Sequence, residues 1–407
     1  MAAAACAVAR RLFSTVAYRG AKRRDVARAL ARPGRKKVLR GKLHNRTLTG
    51  PEILNLMNEH VGTEAFDPRN ISMAFFSLGF KSFGTRGFSA LRNDTQFERL
   101  CHAATESIER QPWTPPLLSR LLWGLTKVPR TAATDALFVA AARAIPTIAG
   151  DAKLPQIANI AWAFATSDIE APEVFDALRT AVEAYSAAEL RRSRDRDLSI
   201  ALWAFAKVGA PAPAMFDRFA TEILSRDLAA FNDQSLSNTA WAFATSRHAA
   251  PPLFSAIARE MTGRIRECAP VTLVMTLWAF ARMNAPAPAL FALVAADAPR
   301  FLECGETRSV SQLSWAFATA GVDAPAFFAS AEREALKRGL ANMNGQSISN
   351  LAWAFCKAGV DAPALYAAVA AELALPRRAR SLNMQGEFIL FTVTCCASPA
   401  HSLTRSP

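Results

Sequence analysis

Seven of the eight tryptophans stand at positions 123, 162, 203, 241, 278, 315 and 353, separated by 39, 41, 38, 37, 37 and 38 residues. A period of that length, kept over most of a 407-residue chain, restricts the fold to a tandem array of one supersecondary unit. Each tryptophan sits in a related string, among them IANIAWAFAT, LSNTAWAFAT and VSQLSWAFAT. A weaker copy, Asn70 to Phe76, opens the array with Met73 in the tryptophan slot.

The grammar inside one repeat predicts helix, tight turn, helix. Ten residues after Trp comes Pro172, Pro213, Pro251, Pro288, Pro325 or Pro363, and three further on an aromatic: Phe175, Phe216, Phe254, Phe291, Phe328 or Tyr366. Proline suits the first turn of a helix, where its missing N–H is not needed. Six residues after Trp stand Gly209, Gly321 and Gly359, replaced by Asp168 and Asn284 in two copies. These residue types tolerate the left-handed backbone that ends a helix. The expected fold is all-α: an α-solenoid of about seven to eight helix-turn-helix repeats of ~38 residues.

On a wheel of 100° per residue with Trp at 0°, positions −5, −2 and +2 fall opposite the indole and carry Ile157, Ile160 and Phe164 in one copy. That face is expected to be buried. Positions −7, −3 and +4 lie within about 60° of the indole. Position −3 holds Arg120, Asn159, Ile200, Asn238, Met275, Gln312 and Asn350; position +4 holds Lys127, Thr166, Lys207, Thr245, Arg282, Thr319 and Lys357. Core positions keep their identity from repeat to repeat while these vary among polar types, a pattern suited to reading a linear polymer one unit at a time. The candidate RNA-contacting residues are therefore Asn159, Asn238, Gln312, Asn350, Lys127, Lys207, Arg282 and Lys357.

Each candidate has a structural alternative. The amides could hydrogen-bond to neighbouring helix ends. The +4 cations could serve the helix dipole rather than phosphate. Trp123, Trp162, Trp203, Trp241, Trp278, Trp315 and Trp353 are read as an inter-repeat packing ladder, with base stacking the alternative. As core residues, truncating one is expected to cost about 3–5 kcal/mol. The serines at −4, such as Ser119, Ser199 and Ser311, are read as bonding locally at the helix start.

The net charge of +14 is unevenly placed: residues 1–50 carry +13 and the other 357 residues +1. Residues 1–50 are read as a basic organellar transit peptide and disordered linker, mitochondrial by the run Arg10-Arg11-Leu12-Phe13-Ser14, with a plastid as the alternative address. The remaining boundaries are a degenerate N-terminal repeat or cap at 51–115, seven Trp-anchored repeats at 116–376, and a divergent cap or tail at 377–407. Seven scattered cysteines and five dispersed histidines offer no paired spacing, so no disulfide framework, metal site or cofactor is expected. No run of about 18 uncharged apolar residues occurs, so no membrane span is expected. Phosphate-cradling, HExxH and GxSxG motifs do not occur either, which argues against an enzyme.

The kernels from Gln234-Ser235-Leu236-Ser237-Asn238 to Trp241-Ala242-Phe243, and from Gln346 to Phe355, each followed by an A-P-x-x-F-like block, resemble the octotricopeptide-type repeats of organellar RNA factors. Similar kernels occur in FAST-kinase-like mitochondrial proteins and in helical-repeat subunits of the RNA-editing substrate-binding complex. The resemblance covers residues 68–375. It implies an organellar RNA-binding solenoid acting in RNA processing, stability, editing or translation, whose partners are single-stranded RNA and other subunits of an RNA-processing complex. Many such relatives end in a small basic RAP domain, and residues 377–407 do not resemble one. The alternative reading is a protein-interaction scaffold in the organelle, which the near-neutral body would suit.

Overall fold

The computed structural model describes residues 34–43, 48–82, 91–303 and 307–375, and among them all regular structure is helical. The expectations for residues 1–33 and for the tail at 377–407 lie outside the described residues. The described chain forms two compact units, residues 34–113 with 127–137, and residues 114–126 with 138–375.

The first unit contains α1 (Gly34–Leu43), α2 (Gly50–Asn58), α3 (Pro68–Ser82) and α4 (Thr95–Arg110), with α3 packing on α1 and α2. Leu39 and Leu43 of α1, one turn apart, are buried. Residues 34–43 thus correct the expectation of a disordered linker through residue 50, because this leucine pair gives the basic segment one apolar stripe. Met73, in the tryptophan slot of the weak copy, is buried.

The second unit is an α-solenoid of two-helix repeats. The Trp-bearing A helices are α5 (Pro115–Leu125), α7 (Leu154–Thr166), α10 (Asp195–Val208), α12 (Asp233–Thr245), α14 (Pro270–Arg282), α17 (Thr307–Ala320) and α19 (Gly345–Ala358). The helix α6 (Ala132–Ile148) begins in the first unit and continues into the second from residue 138; the B partners lying wholly in the second unit are α8 (Pro172–Glu183), α11 (Pro213–Leu224), α13 (Pro251–Gly263), α15 (Pro288–Ala296), α18 (Pro325–Arg338) and α20 (Pro363–Leu373). Short helices α9 (Ala187–Arg191) and α16 (Ala298–Glu303) fill two linkers. Six of the B helices begin at the proline marked by the repeat.

The turns follow the expected chemistry. Gly209, Gly321, Gly359, Asp168 and Asn284 all have left-handed backbone, with φ between 49° and 69°. Arg247 takes the same place after Trp241 at φ 52°, which its residue type does not announce. In each of these six turns the N–H seven residues after Trp donates to the carbonyl two residues after it, for example Ala210 to Phe205 at 3.0 Å and His248 to Phe243 at 2.9 Å. That bond is the signature of a Schellman ending.

Consecutive A helices pack directly on one another, and B helices touch much less. Alanines at −1, +1 and +3 permit the close approach; Ala161, Ala163 and Ala165 are fully buried. The core is an aromatic relay. The B-helix aromatic of each repeat meets the +2 phenylalanine of the next edge to face: Phe175 to Phe205, Phe216 to Phe243, Phe254 to Phe280, Phe291 to Phe317 and Phe328 to Phe355, all with centroids 5.0–5.1 Å apart. Such pairs add about 0.5–1.5 kcal/mol each beyond the area they bury.

Arginines staple the linkers on the other layer. Arg264 donates to the carbonyls of Phe231 (2.6 Å) and Leu228 (2.9 Å), and Arg226 to those of Ser193 (2.8 Å) and Leu190 (2.7 Å). Arg300 and Arg338 repeat the contact one and two units on, to Arg266 and Cys268, and to Leu302 and Glu303. Each bond ties one of these arginines to a carbonyl at the end of a short helix or linker in the preceding repeat, whether or not that carbonyl also accepts a backbone N–H, as those of Leu228 and Leu190 do. The cations near the ends of the B helices thus act within the fold.

Cys101 and Cys268 are free and buried, and burial pushes the Cys268 thiol up to about 11. Cys356 is disulfide-bonded, which the scattered cysteine spacing does not announce. One helical stretch, Ala132–Asp151, has the length and apolarity of a membrane span, but half of that window is buried inside the fold, as in the core helix of a globular domain.

Candidate nucleic-acid interface

The helix wheel that buries −5, −2 and +2 leaves the indole edge of each A helix open. Ile157, Ile160 and Phe164 are at most 1% exposed, whereas all seven tryptophans are half-buried. From Trp203 to Trp353 the indoles form a continuous ladder with centroid steps of 5.9, 6.4, 6.2 and 6.4 Å and tilts of 29–33°. They therefore pack between repeats, as the packing reading requires, and keep an accessible edge as well.

Beside the ladder run the −3 residues, all half-buried. The side-chain amides of Asn159, Asn238, Gln312 and Asn350 make no hydrogen bond to any described residue. The alternative in which they tie down neighbouring helix ends is thereby removed. The asparagines that do serve helix ends are Asn232 and Asn344, each capping its own helix, α12 and α19, by accepting from Ser235 N–H (2.7 Å) and Ser347 N–H (2.8 Å). The −4 serines turn inward: Ser119, Ser199 and Ser311 bond three residues back, and Ser237 donates across to the Thr272 carbonyl at 3.0 Å.

Two recesses open on this face. One, about 550 Å³, is lined by Trp123, Asn159, Trp162, Trp203 and Asn238 with Arg196. The other, about 670 Å³, is lined by Trp241, Trp278, Trp315, Gln312 and Asn350 with Arg282 and Arg308. Five of the eight sequence candidates are thus brought together with the tryptophans. Arg282 lies over Trp278 with its Cζ 5.5 Å from the ring centroid, and its Nε donates to the Ala244 carbonyl at 3.3 Å.

The other cations are placed differently. Lys207 is paired with Asp168 at 2.7 Å and faces a separate recess of about 590 Å³ on the turn side, together with Glu170 and Asp176. Its charge is spent between repeats. Lys357 is exposed and Lys127 half-buried, and neither lines the two Trp-face recesses. In their stead the structure brings forward Arg196, Gln234, Arg308 and Gln346, all exposed at −7. The wheel had marked −7 as lying 20° from the indole; reading its residue types would have found them.

The −7, −3 and +4 positions of the seven repeats together hold seven Arg or Lys and no Asp or Glu. On the two recesses themselves the charged lining residues are Arg196, Arg282 and Arg308, with no Asp or Glu among them. At +4 the Thr245 and Thr319 hydroxyls are buried without a partner among the described residues, so in these repeats the exposed hydrogen-bonding groups are those at −3. Among the described residues no group of three His, Cys, Asp or Glu is placed to hold a metal. No known family model matches the chain, and no curated protein matches it either.

Proposed function

We propose that the Trp face of the solenoid binds single-stranded RNA, with the chain acting in organellar RNA processing, stability, editing or translation. One observation carries the reading: unbonded, partly exposed amides run beside an edge-open indole ladder in recesses whose lining holds arginines and no carboxylate. Aromatic edges and faces suit unpaired bases, amides suit base edges, and cations suit phosphate. Duplex RNA hides its base edges in a deep, narrow major groove and fits such a face poorly. The resemblance to octotricopeptide-type repeats supports the same class. The cationic leader supports a mitochondrial address, with a plastid as the alternative.

The scaffold reading has one observation in its favour, the apolar pair Val271 and Met275 in the middle of the face, with Val271 59% exposed. Its ligand would be an extended peptide.

The test compares the full chain with Arg196→Glu/Arg282→Glu/Arg308→Glu, titrating single-stranded RNA over a salt series. The leader is the same in both, so the difference isolates the face. The variant is expected to bind at least tenfold more weakly and to lose about 2 from the slope of log K against log salt, at about 0.7 per phosphate contact on a single strand. Equal affinity and equal slope would reject the surface.

A further inference from the structure

The seven repeats are not equivalent on the Trp face. Trp162, Trp241 and Trp315 pair an amide at −3 with threonine at +4: Asn159 with Thr166, Asn238 with Thr245, Gln312 with Thr319. The repeats between them pair an apolar −3 residue with a cation: Ile200 with Lys207, and Met275 with Arg282. The last repeat carries both, Asn350 and Lys357. Tertiary structure sharpens this alternation. In the amide repeats the hydrogen-bonding groups at −3 are unspent: the side-chain amides of Asn159, Asn238 and Gln312 are unbonded and line the recesses. In the cation repeats the +4 group is already engaged, Lys207 by Asp168 and Arg282 by the Ala244 carbonyl and the Trp278 ring, and the −3 side chain has no donor and at most the weak thioether acceptor of Met275.

We infer that the Trp face reads RNA in two-repeat units, with nucleobase edges recognised by Asn159, Asn238, Gln312 and Asn350 while the Ile200 and Met275 repeats accept any base. This inference rests on the RNA-binding reading of the same face. The ladder step of 5.9–6.4 Å is nearly twice the ~3.4 Å spacing of a stacked strand, so a chain advancing one base per indole has its bases unstacked and their edges free. An Asn or Gln amide presents a donor and an acceptor side by side, which matches a base edge. Ile200 and Met275 offer contact area without any pattern of donors.

From Trp162 to Trp353 the order is amide, apolar, amide, apolar, amide, amide. The expected footprint is therefore informative, blank, informative, blank, informative, informative, read along the strand in one direction. Selection from a fully randomised single-stranded RNA pool with the full chain measures it directly. The basic leader adds binding without positional preference, so it does not distort the pattern. At informative positions the favoured base is expected to exceed the others about tenfold. Asn238→Leu should erase only the second informative position, and Met275→Asn should create a new one between the second and third. Both side chains are half-exposed, and an unchanged melting temperature verifies that each variant folds. Contiguous information at all six positions, or a footprint unmoved by either substitution, overturns the two-repeat unit while leaving RNA binding intact. A chain that retains no RNA at all overturns both.

Discussion

Two aromatic ladders run through the same repeats and are built oppositely. The phenylalanine relay joins B helix to the next A helix edge to face at 5.0–5.1 Å, with Phe205, Phe243, Phe280, Phe317 and Phe355 fully buried. The indole ladder joins A helix to A helix at 5.9–6.4 Å and tilts near 30°, with every ring half-buried. Edge-to-face contact sets the positive rim of one ring against the negative face of its neighbour and leaves little for a ligand. The tilted indole stack leaves part of every ring exposed. The same residue class thus serves cohesion in one layer and an accessible surface in the other, by geometry and burial alone.

The comparison is tested most severely by Phe280→Ala. Removing a fully buried ring that meets Phe254 at 5.0 Å should cost about 3–5 kcal/mol in chemical denaturation. A loss below 1 kcal/mol would mean that the relay is not the core. Trp241→Ala comes next. The cost expected from the sequence was that of a core truncation; partial exposure places it near the lower end of that range, about 3 kcal/mol, because not all of the indole leaves water on folding. RNA affinity in that variant should fall although the fold survives. If the two truncations destabilise equally, the distinction between the ladders is lost. The smallest effect belongs to neither ladder and calibrates them: Arg247→Gly should raise stability by about 0.5–1 kcal/mol, since a side chain at φ 52° carries a strain that glycine lacks.

Much of the fold was legible in the residues. The turn glycines, the Pro172-type helix starts and the buried Ile157–Ile160–Phe164 face depend on local backbone preference and on the 3.6-residue period. Both act within a dozen residues. Part of the candidate site was legible by the same means, because the wheel places Asn238 and Gln312 beside their tryptophans. Lys207 shows where that reasoning stops: its partner Asp168 lies 39 residues away in sequence and beside it in space. Arg264 shows the same, its staples reaching Phe231 and Leu228 across the repeat boundary.

What the amino-acid order determined alone was the repeat, its helix-turn-helix grammar and the angular position of every side chain on its helix, since these follow from covalent geometry and local sterics. Tertiary structure decided which polar groups were consumed by the fold and which were left over. Asn238 stays unbonded, Lys207 does not, and Arg264 becomes a staple, because each outcome depends on what the neighbouring repeat brings within about 3 Å. Such contacts are set by how repeats stack, a relation between residues nearly forty positions apart that no local propensity encodes.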